Sequence, residues 1–263
     1  MKQVSAEEFR NVELELMDEI DRICREQGIR YSLAYGTLLG AIRHKGFIPW
    51  DDDVDIFMLR EDYDRFVEHF DEWRSDERFE MAAPGKMNSS YCMGKVVDAR
   101  TRVNSLWDKE KYWLGIWVDV FPIESFDPAN MQVHKKIMRL KFLRQLAVSD
   151  PKAGKSLKRK IAKHIACPIA SLFIDPMKIT KRIDDLARAQ CDGPSDTIVP
   201  IVNTHGTLKP FPASWLDDLV PMPFEDREYL CPANYEEHLE FEFGDWRTPL
   251  EAPPHQDKAF WLE

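Results

Sequence analysis

Cysteine is scarce and scattered in this chain. Its 263 residues hold five, Cys24, Cys92, Cys167, Cys191 and Cys231. No two form a C-x-x-C pair, and the count is odd. That spacing excludes a disulfide framework and a cysteine zinc site, and reduced thiols in a cytoplasmic protein are expected. No apolar run is long enough to cross a bilayer. The opening residues, MKQVSAEEFR, lack the apolar segment of a secretory leader, so no signal peptide is expected. Without a secretory context the sequon Asn88-Ser89-Ser90 means little. Basic charge is also in deficit: the net charge of -10 argues against nucleic acid as a partner. Repeats, low-complexity tracts and flexible linkers are missing. The remaining composition, 44% hydrophobic and 31% charged, suits a soluble globular chain, with length for one large domain or one domain with an appendage.

What is present centres on Tyr31 to Met58, YSLAYGTLLGAIRHKGFIPWDDDVDIFM. Asp51, Asp52 and Asp53 are followed by Val54, Asp55, Ile56, Phe57 and Met58. From Asp53 the alternation of acid and apolar residues has the period of a strand, which turns Asp53 and Asp55 to one face. Paired carboxylates repel each other, and a divalent cation relieves that repulsion. An all-oxygen donor set favours a hard ion such as Mg²⁺. Upstream, Gly36 and Thr37 open a short helical segment, with Thr37 as its expected cap, and such an N-terminus seats phosphate. Arg43, His44 and Lys45 close it with cationic donors. Paired acids also occur on plain solvated faces. An EF-hand is rejected because Ile56 and Asp62 stand where that loop needs Gly and Glu.

GTLLGAIRHKGFIPWDDDVDIFM resembles the signature of the LicD family, the phosphocholine transferases of bacterial surface glycans, with fukutin-type members that move other CDP-linked groups. The family lies within the nucleotidyltransferase superfamily, whose Gly-Ser/Thr turn and acid-apolar-acid strand match Gly36-Thr37 and Asp53-Val54-Asp55. The match runs unbroken from Tyr35 to Met58.

Elsewhere the chain reads as alternating helices and strands. Ser5 to Gln27 is a helix with a Ser5–Glu8 capping box and a Gly28 stop. Arg60 to Trp73 is a second. Phe79 to Ala82, Tyr91 to Asp98 and Trp113 to Phe121 read as strands. The segment MGKVVDARTRV also resembles the family, which brings Lys95 toward a substrate phosphate; Arg100 and Arg102 follow it. Asp119 is a lone acid in an apolar strand, where an unpartnered carboxylate is costly. WVDVFPIE resembles the family's version, and the superfamily's third metal-site acid then falls on Asp119.

From His134 to Lys163 only Asp150 opposes a dense run of Lys and Arg. Two helices broken near Asp150-Pro151 fit, either as a surface meeting anionic lipid or a lipid-linked glycan, or as an ordinary pair with a cationic face. Pro176 to Gln190 is a helix, Thr197 to Val202 a strand, and Pro210 to Pro223 a loop-rich crossover. Glu228 to Cys231 is a short strand, and Asn234 to Phe243 a helix ending at Gly244. FGDWRTPLEAPPH resembles the family's closing segment, with Phe243 in place of an expected Tyr. Asp245 and His255 read as structural.

The expected fold is α+β: a single LicD-like domain over 1–263, with a nucleotidyltransferase-like mixed sheet flanked by helices and a basic helical insertion at about 128–192. The resemblance implies transfer of a phospho-alcohol from CDP-choline, or another CDP-alcohol, to a hydroxyl of a glycan, teichoic acid or lipopolysaccharide precursor, releasing CMP. Asp53, Asp55 and Asp119 would hold one or two Mg²⁺ or Mn²⁺ ions, with Asp51 as an outer ligand. Gly36, Thr37, Arg43, Lys45 and Lys95 would meet the diphosphate. Asp119 would orient the hydroxyl. A cytoplasmic enzyme, peripheral at the inner membrane face, is expected. The alternatives are a nucleotidyltransferase moving NMP from an NTP, and a non-catalytic nucleotide- or membrane-binding module.

Overall fold

The computed structural model describes residues 2–51, 53–87, 89–105, 108–127, 131–152, 157–190, 195–203, 208–249 and 258–262, and of 157–162 the backbone alone. Asp52, Asn88, Cys191 and His255, named above, lie outside these residues.

Helix α1 (Ala6–Gln27) is fixed at both ends by its own sequence. The Glu8 N–H donates to the Ser5 hydroxyl at 3.1 Å, and the Ser5 N–H donates to the Glu8 carboxylate at 2.8 Å, the reciprocal cap expected from these residues. Gly28 stops the helix at φ 64°, a conformation that costs glycine no Cβ clash. Leu16, Met17, Ile20 and Ile23 leave water on this helix and join the main core with the sheet strands.

The sheet has spatial order β1 (Ser32–Leu33), β2 (Asp55–Leu59), β6 (Trp117–Ser125), β4 (Gly94–Asp98), β3 (Phe79–Ala82). The β2–β6 pair is parallel; its neighbours are antiparallel. The far end of β6 pairs β7 (Thr197–Val199), which pairs β8 (Phe211–Pro212). Strand β5 (Thr101–Asn104) instead pairs β11 (Lys258–Trp261). Helix α2 (Tyr35–His44) joins β1 to β2, and α3 (Arg60–Trp73) follows β2, burying Tyr63, Phe66 and Phe70. The chain is therefore α+β with a mixed sheet flanked by helices, as the sequence predicts.

Helices α4 (Met131–Val148), α5 (Leu157–Phe173) and α6 (Pro176–Arg188) intervene between β6 and β7. Ile137, Ile183, Ala187 and Val199 form a second core there. A buried ion cluster ties this layer to the sheet. Arg60 pairs with Glu124 at the end of β6, and reaches Asp184 of α6 at 2.8 Å and Asp64 at 3.3 Å. Burial pushes the Glu124 carboxyl up to about 7, against the pull of Arg60.

Several boundaries differ from expectation. Thr37 does not cap α2: the helix starts at Tyr35 with Ala34 at the cap. The acid strand begins at Asp55, not Asp53, because Thr37 engages the preceding backbone. Strand β6 covers 117–125 rather than 113–121, since Glu110–Tyr112 close a 3-10 turn ahead of it. Strand β4 starts at Gly94, and β7 stops at Val199. Within the proline-rich crossover, β9 (Leu219–Phe224) pairs with β10 (Arg227–Pro232). Pro221 and Pro223 are tolerated there because a two-stranded ribbon has an unpaired outer edge where a missing N–H costs nothing. Helix α7 (Tyr235–Phe243) ends at Gly244 as predicted.

Candidate active site

Strand register sets the chemistry. The parallel β2–β6 pair places Asp55 opposite Asp119, and the antiparallel β4–β6 pair places Lys95 opposite Asp119 on its other side. Opposed residues share a sheet face, so the three stand in one row across three strands. Lys95 Nζ lies 2.5 Å from Asp119 Oδ1. It is also 4.1 Å from the Trp117 ring centroid and 4.6 Å from that of Tyr91. Lys95 is only 3% exposed, and the carboxylate and ring faces replace the water it gives up. Trp117 Nε1 donates to Asp119 Oδ2 at 3.1 Å and fixes the carboxylate plane.

Asp55 sits in the most strained electrostatic position. Burial holds its carboxyl well above the usual carboxylate range; Asp119, Asp53 and Asp51 add repulsion, and Lys95 offsets part of it. The four acids predicted from sequence are thus electrostatic neighbours. Thr37 organises their backbone: its hydroxyl accepts the Asp55 N–H at 2.8 Å and donates to the Asp53 carbonyl at 3.4 Å. Gly36 lets Asp51 lie against the first turn of α2. A Cβ there would come 2.5 Å from Asp51 Oδ2. That turn is the positive end of the helix dipole, which favours an anion.

Arg43 and Lys45 are not brought to this row. Arg43 is about 10 Å along the helix axis from Gly36, seven residues at 1.5 Å each. It donates to the Trp246 carbonyl at 2.8 Å. Lys45 closes α2 at φ 60°, and its carbonyl accepts the Glu225 N–H at 2.7 Å. Both residues stand at the far end of α2, while Asp51 lies against its start. Arg100 is held by Asp98 and Glu15, and Arg102 by the Glu110 carbonyl. Asp245 accepts the Thr248 hydroxyl at 2.8 Å in an exposed turn.

Among the described residues no three His, Cys, Asp or Glu side chains are gathered closely enough to enclose a metal ion by themselves. The donor set still fits Mg²⁺, which takes one or two carboxylates and completes its shell with water and substrate phosphate. Asp55 and Asp119 supply two opposed carboxylates. Asp119 Oδ1, although buried beside Lys95, receives no aligned hydrogen bond.

Sequence reading missed the walls of the site. A cavity of about 540 Å³ opens beside Asp55, lined by Tyr35, Phe57, Phe211, His238 and Glu242 among others. Tyr35 and Phe57 lie within the acid-bearing signature, but the sequence assigns them no role. The sequence predicts only that α7 is a helix, and nothing in its spacing marks His238 or Glu242. Burial brings His238 down to about 4, so its ring is neutral near pH 7.

Comparison with known proteins places this arrangement in context. The family profile described as LicD/FKTN/FKRP, nucleotidyltransferase domain, matches residues 28–146. The lipopolysaccharide cholinephosphotransferase LicD of Haemophilus influenzae is 28% identical over 269 residues, covering 98% of this chain and 96% of that protein. The ribitol 5-phosphate transferase FKRP of Homo sapiens is 57% identical over 35 residues, 13% of this chain and 7% of that protein. An uncharacterised protein of Rickettsia prowazekii is 46% identical over 48 residues, 18% of each chain.

Proposed function

The chain belongs to the LicD family, and on that premise we propose that it is a metal-dependent phosphotransferase. It moves phosphocholine from CDP-choline to a hydroxyl of lipopolysaccharide and releases CMP. The observation that supports this most directly is the Asp55–Asp119–Lys95 row, two carboxylates and a buried cation in register on three strands. Asp55 and Asp119, with Asp53 beside them, would hold one or two Mg²⁺ ions. When bound, the metal neutralises charge on the attacking and leaving oxygens. The start of α2 at Gly36 takes the diphosphate. Asp119 orients the acceptor hydroxyl and accepts its proton. The hydroxyl oxygen forms the new bond to the choline-bearing phosphorus as that phosphorus leaves the CMP oxygen. Lys95 stays paired in charge with Asp119 and offers its N–H donors to the transferred phosphate. Arg43 and Lys45 have no place in this scheme. A nucleotidyltransferase-like core is consistent with it.

The test is to incubate the chain with CDP-choline, Mg²⁺ and lipopolysaccharide and identify the nucleotide released. CMP formed only with divalent metal, and lost with EDTA, is the expected result. Pyrophosphate released from an NTP would instead make it a nucleotidyltransferase, and no turnover of either donor would leave a binding module.

The acceptor is amphiphilic, and the chain carries a surface suited to meeting it. No helix among the described residues is long and apolar enough to cross a membrane. Helix α5, however, exposes Ile165 (64%), Ile169 (54%), Leu172 (79%) and Phe173 (84%). The spacing i, i+4, i+7, i+8 puts them on one face, while Cys167 and Ala170 turn inward. Lys135, Lys136 and Arg139 are exposed on α4, which packs on α5. We assign this surface to peripheral contact with an anionic lipid face.

A further inference from the structure

We infer that the cavity beside Asp55 is the seat of a quaternary ammonium group, walled by aromatic rings and closed by Glu242. The inference rests on the transferase reading for what lies at its other end, and it names the part of the donor that reading leaves unplaced.

Two acids line the cavity: Asp55, in the row that meets phosphate, and Glu242 on α7, far from that row in sequence. Tyr35, Phe57 and Phe211 line it with Val199 and Pro200, and Asn203 and Lys209 add polar groups. The rings brace one another. Tyr35 is edge-on to Phe57 at 4.9 Å and to Phe121 at 5.6 Å, and Phe57 stacks on Phe211 at 6.2 Å. His238 packs between them, 6.1 Å from Phe57 and 5.1 Å from Phe211. As a neutral ring it adds no competing positive charge.

Tyr35 marks the wall as more than core packing. It takes φ 43° at the first position of α2, where a large L residue is strained. The Tyr35 hydroxyl shares a hydrogen bond with Asn203, which lines the same cavity, so the ring is held at its backbone and at its hydroxyl.

The chemistry selects the ligand. A polyol head group needs hydrogen-bond partners for each hydroxyl, whereas Tyr35, Phe57, Phe211, Val199 and Pro200 offer ring and aliphatic surface, Asn203 is engaged by Tyr35 and Lys209 stands beside Glu242. A primary ammonium needs acceptors for three N–H groups. A trimethylammonium group has no N–H, presents methyl surface, and is drawn to aromatic faces and to a carboxylate. Burial raises the Glu242 carboxyl, while Lys209 at 3.9 Å draws it back. Lys209 is 53% exposed on its side chain, so it can turn into water as another cation takes its place. A zwitterion with phosphate at one end and trimethylammonium at the other would set its phosphate at the acid row and its cation against the rings and Glu242.

Equilibrium binding to the full chain tests this without turnover. The probes are phosphocholine, tetramethylammonium, and 3,3-dimethylbutyl phosphate, in which carbon replaces the charged nitrogen. Phosphocholine should bind at least tenfold tighter than the neutral isostere. Tetramethylammonium should compete with it. Glu242→Gln and Tyr35→Leu should each weaken phosphocholine at least fivefold, whereas Tyr35→Phe, which keeps the ring, should bind within twofold of the parent and so reports on folding. Equal affinity for the two phosphates, or unchanged binding in both Glu242→Gln and Tyr35→Leu, overturns the assignment. So does loss of CMP binding, with phosphocholine unaffected, in the same variants: the cavity would then hold the nucleotide. If CDP-choline is not turned over yet tetramethylammonium binding is lost in Glu242→Gln, the ammonium seat stands and the transferase reading falls.

Discussion

Lys95 and Asp119 stand opposite each other in the β4–β6 pair, with Nζ 2.5 Å from Oδ1, while Asp55 faces the same aspartate from β2 and forms no ion pair of its own among the described residues. The two acids therefore answer substitution differently. Asp119→Asn leaves a 3%-exposed ammonium without its anion, and breaking a buried pair this way costs about 3–5 kcal/mol. Asp55→Asn removes a carboxyl that burial and three acids hold above its ordinary range. A folded pKa raised above the unfolded value gives stability that is fully present below the unfolded pKa and lost as pH rises through the folded one. Asn at 55 escapes that loss. In EDTA, thermal denaturation should show Asp55→Asn more stable than the parent at pH 7, the gap closing in acid, and Asp119→Asn less stable. Both should lower the rate of CMP release by about 10³ or more, the scale of losing preorganised charge stabilisation. An Asp119→Asn protein as stable as the parent would separate Lys95 from Asp119.

Thr37 is buried, and its hydroxyl is the acceptor for the Asp55 N–H at 2.8 Å. Thr37→Val keeps the shape and removes the acceptor, leaving a buried donor unmet at a cost of about 1–3 kcal/mol. Thr37→Ser restores the hydroxyl. The expected result is a lower melting temperature and a kcat reduced about tenfold in Thr37→Val, as the Asp55 segment loses its tether, with donor KM changed little and Ser recovering most of the rate. A KM effect without a kcat effect would mean that Thr37 touches the donor itself.

These two residues also show what could be read in advance. The lone acid Asp119 and the Ser5–Glu8 cap are local patterns, and each lies where periodicity or capping chemistry puts it, whereas the Asp53–Asp55 alternation does not run along a strand because β2 begins only at Asp55. Thr37 was in view but given the wrong partner: its hydroxyl reaches sixteen and eighteen residues ahead, not into its own helix. The Lys95–Asp119 pairing depends on strand register, which no local spacing encodes. The ring cavity assembles Tyr35 with Phe211, His238 and Glu242 from the other end of the chain. Arg43 and Lys45 lie within the signature in sequence, yet the rise per residue sets them at the far end of α2 from Gly36.

Arg60 is 6% exposed on its side chain and serves Glu124, Asp184 and Asp64 together. Arg60→Ala strands two buried carboxyls and should cost about 3–5 kcal/mol. The loss should depend on pH. Glu124 is pushed up to about 7 by burial, from an ordinary value near 4.5. Its contribution is present below about 4.5 and lost as pH rises through about 7. Without Arg60 the charged form loses its partner, so the deficit in denaturant midpoint should be larger at pH 8 than at pH 5. Glu124→Gln in the Arg60→Ala background should recover part of the difference at pH 8. An equal deficit at both pH values would show that Arg60 acts through packing alone.

The exposed stripe on α5 has its own consequence. Leu172 and Phe173 are 79% and 84% exposed, and inserting each into an apolar phase is worth about 1.5–3 kcal/mol. Replacing both with Asp forfeits that gain and sets negative charge against anionic lipid. In sedimentation with phosphatidylglycerol vesicles at low salt, the parent should pellet, and the Leu172→Asp/Phe173→Asp variant should bind at least a hundredfold more weakly, about 3 kcal/mol or more. Binding of the parent should fall as salt rises, because the exposed Lys135, Lys136 and Arg139 on the neighbouring helix supply part of the attraction. CMP release with a soluble acceptor should be the same in both proteins, since neither residue touches the acid row. A stripe that instead holds two copies of the chain together would behave otherwise: the parent would sediment as a dimer at equilibrium, the variant as a monomer, and vesicles would capture neither.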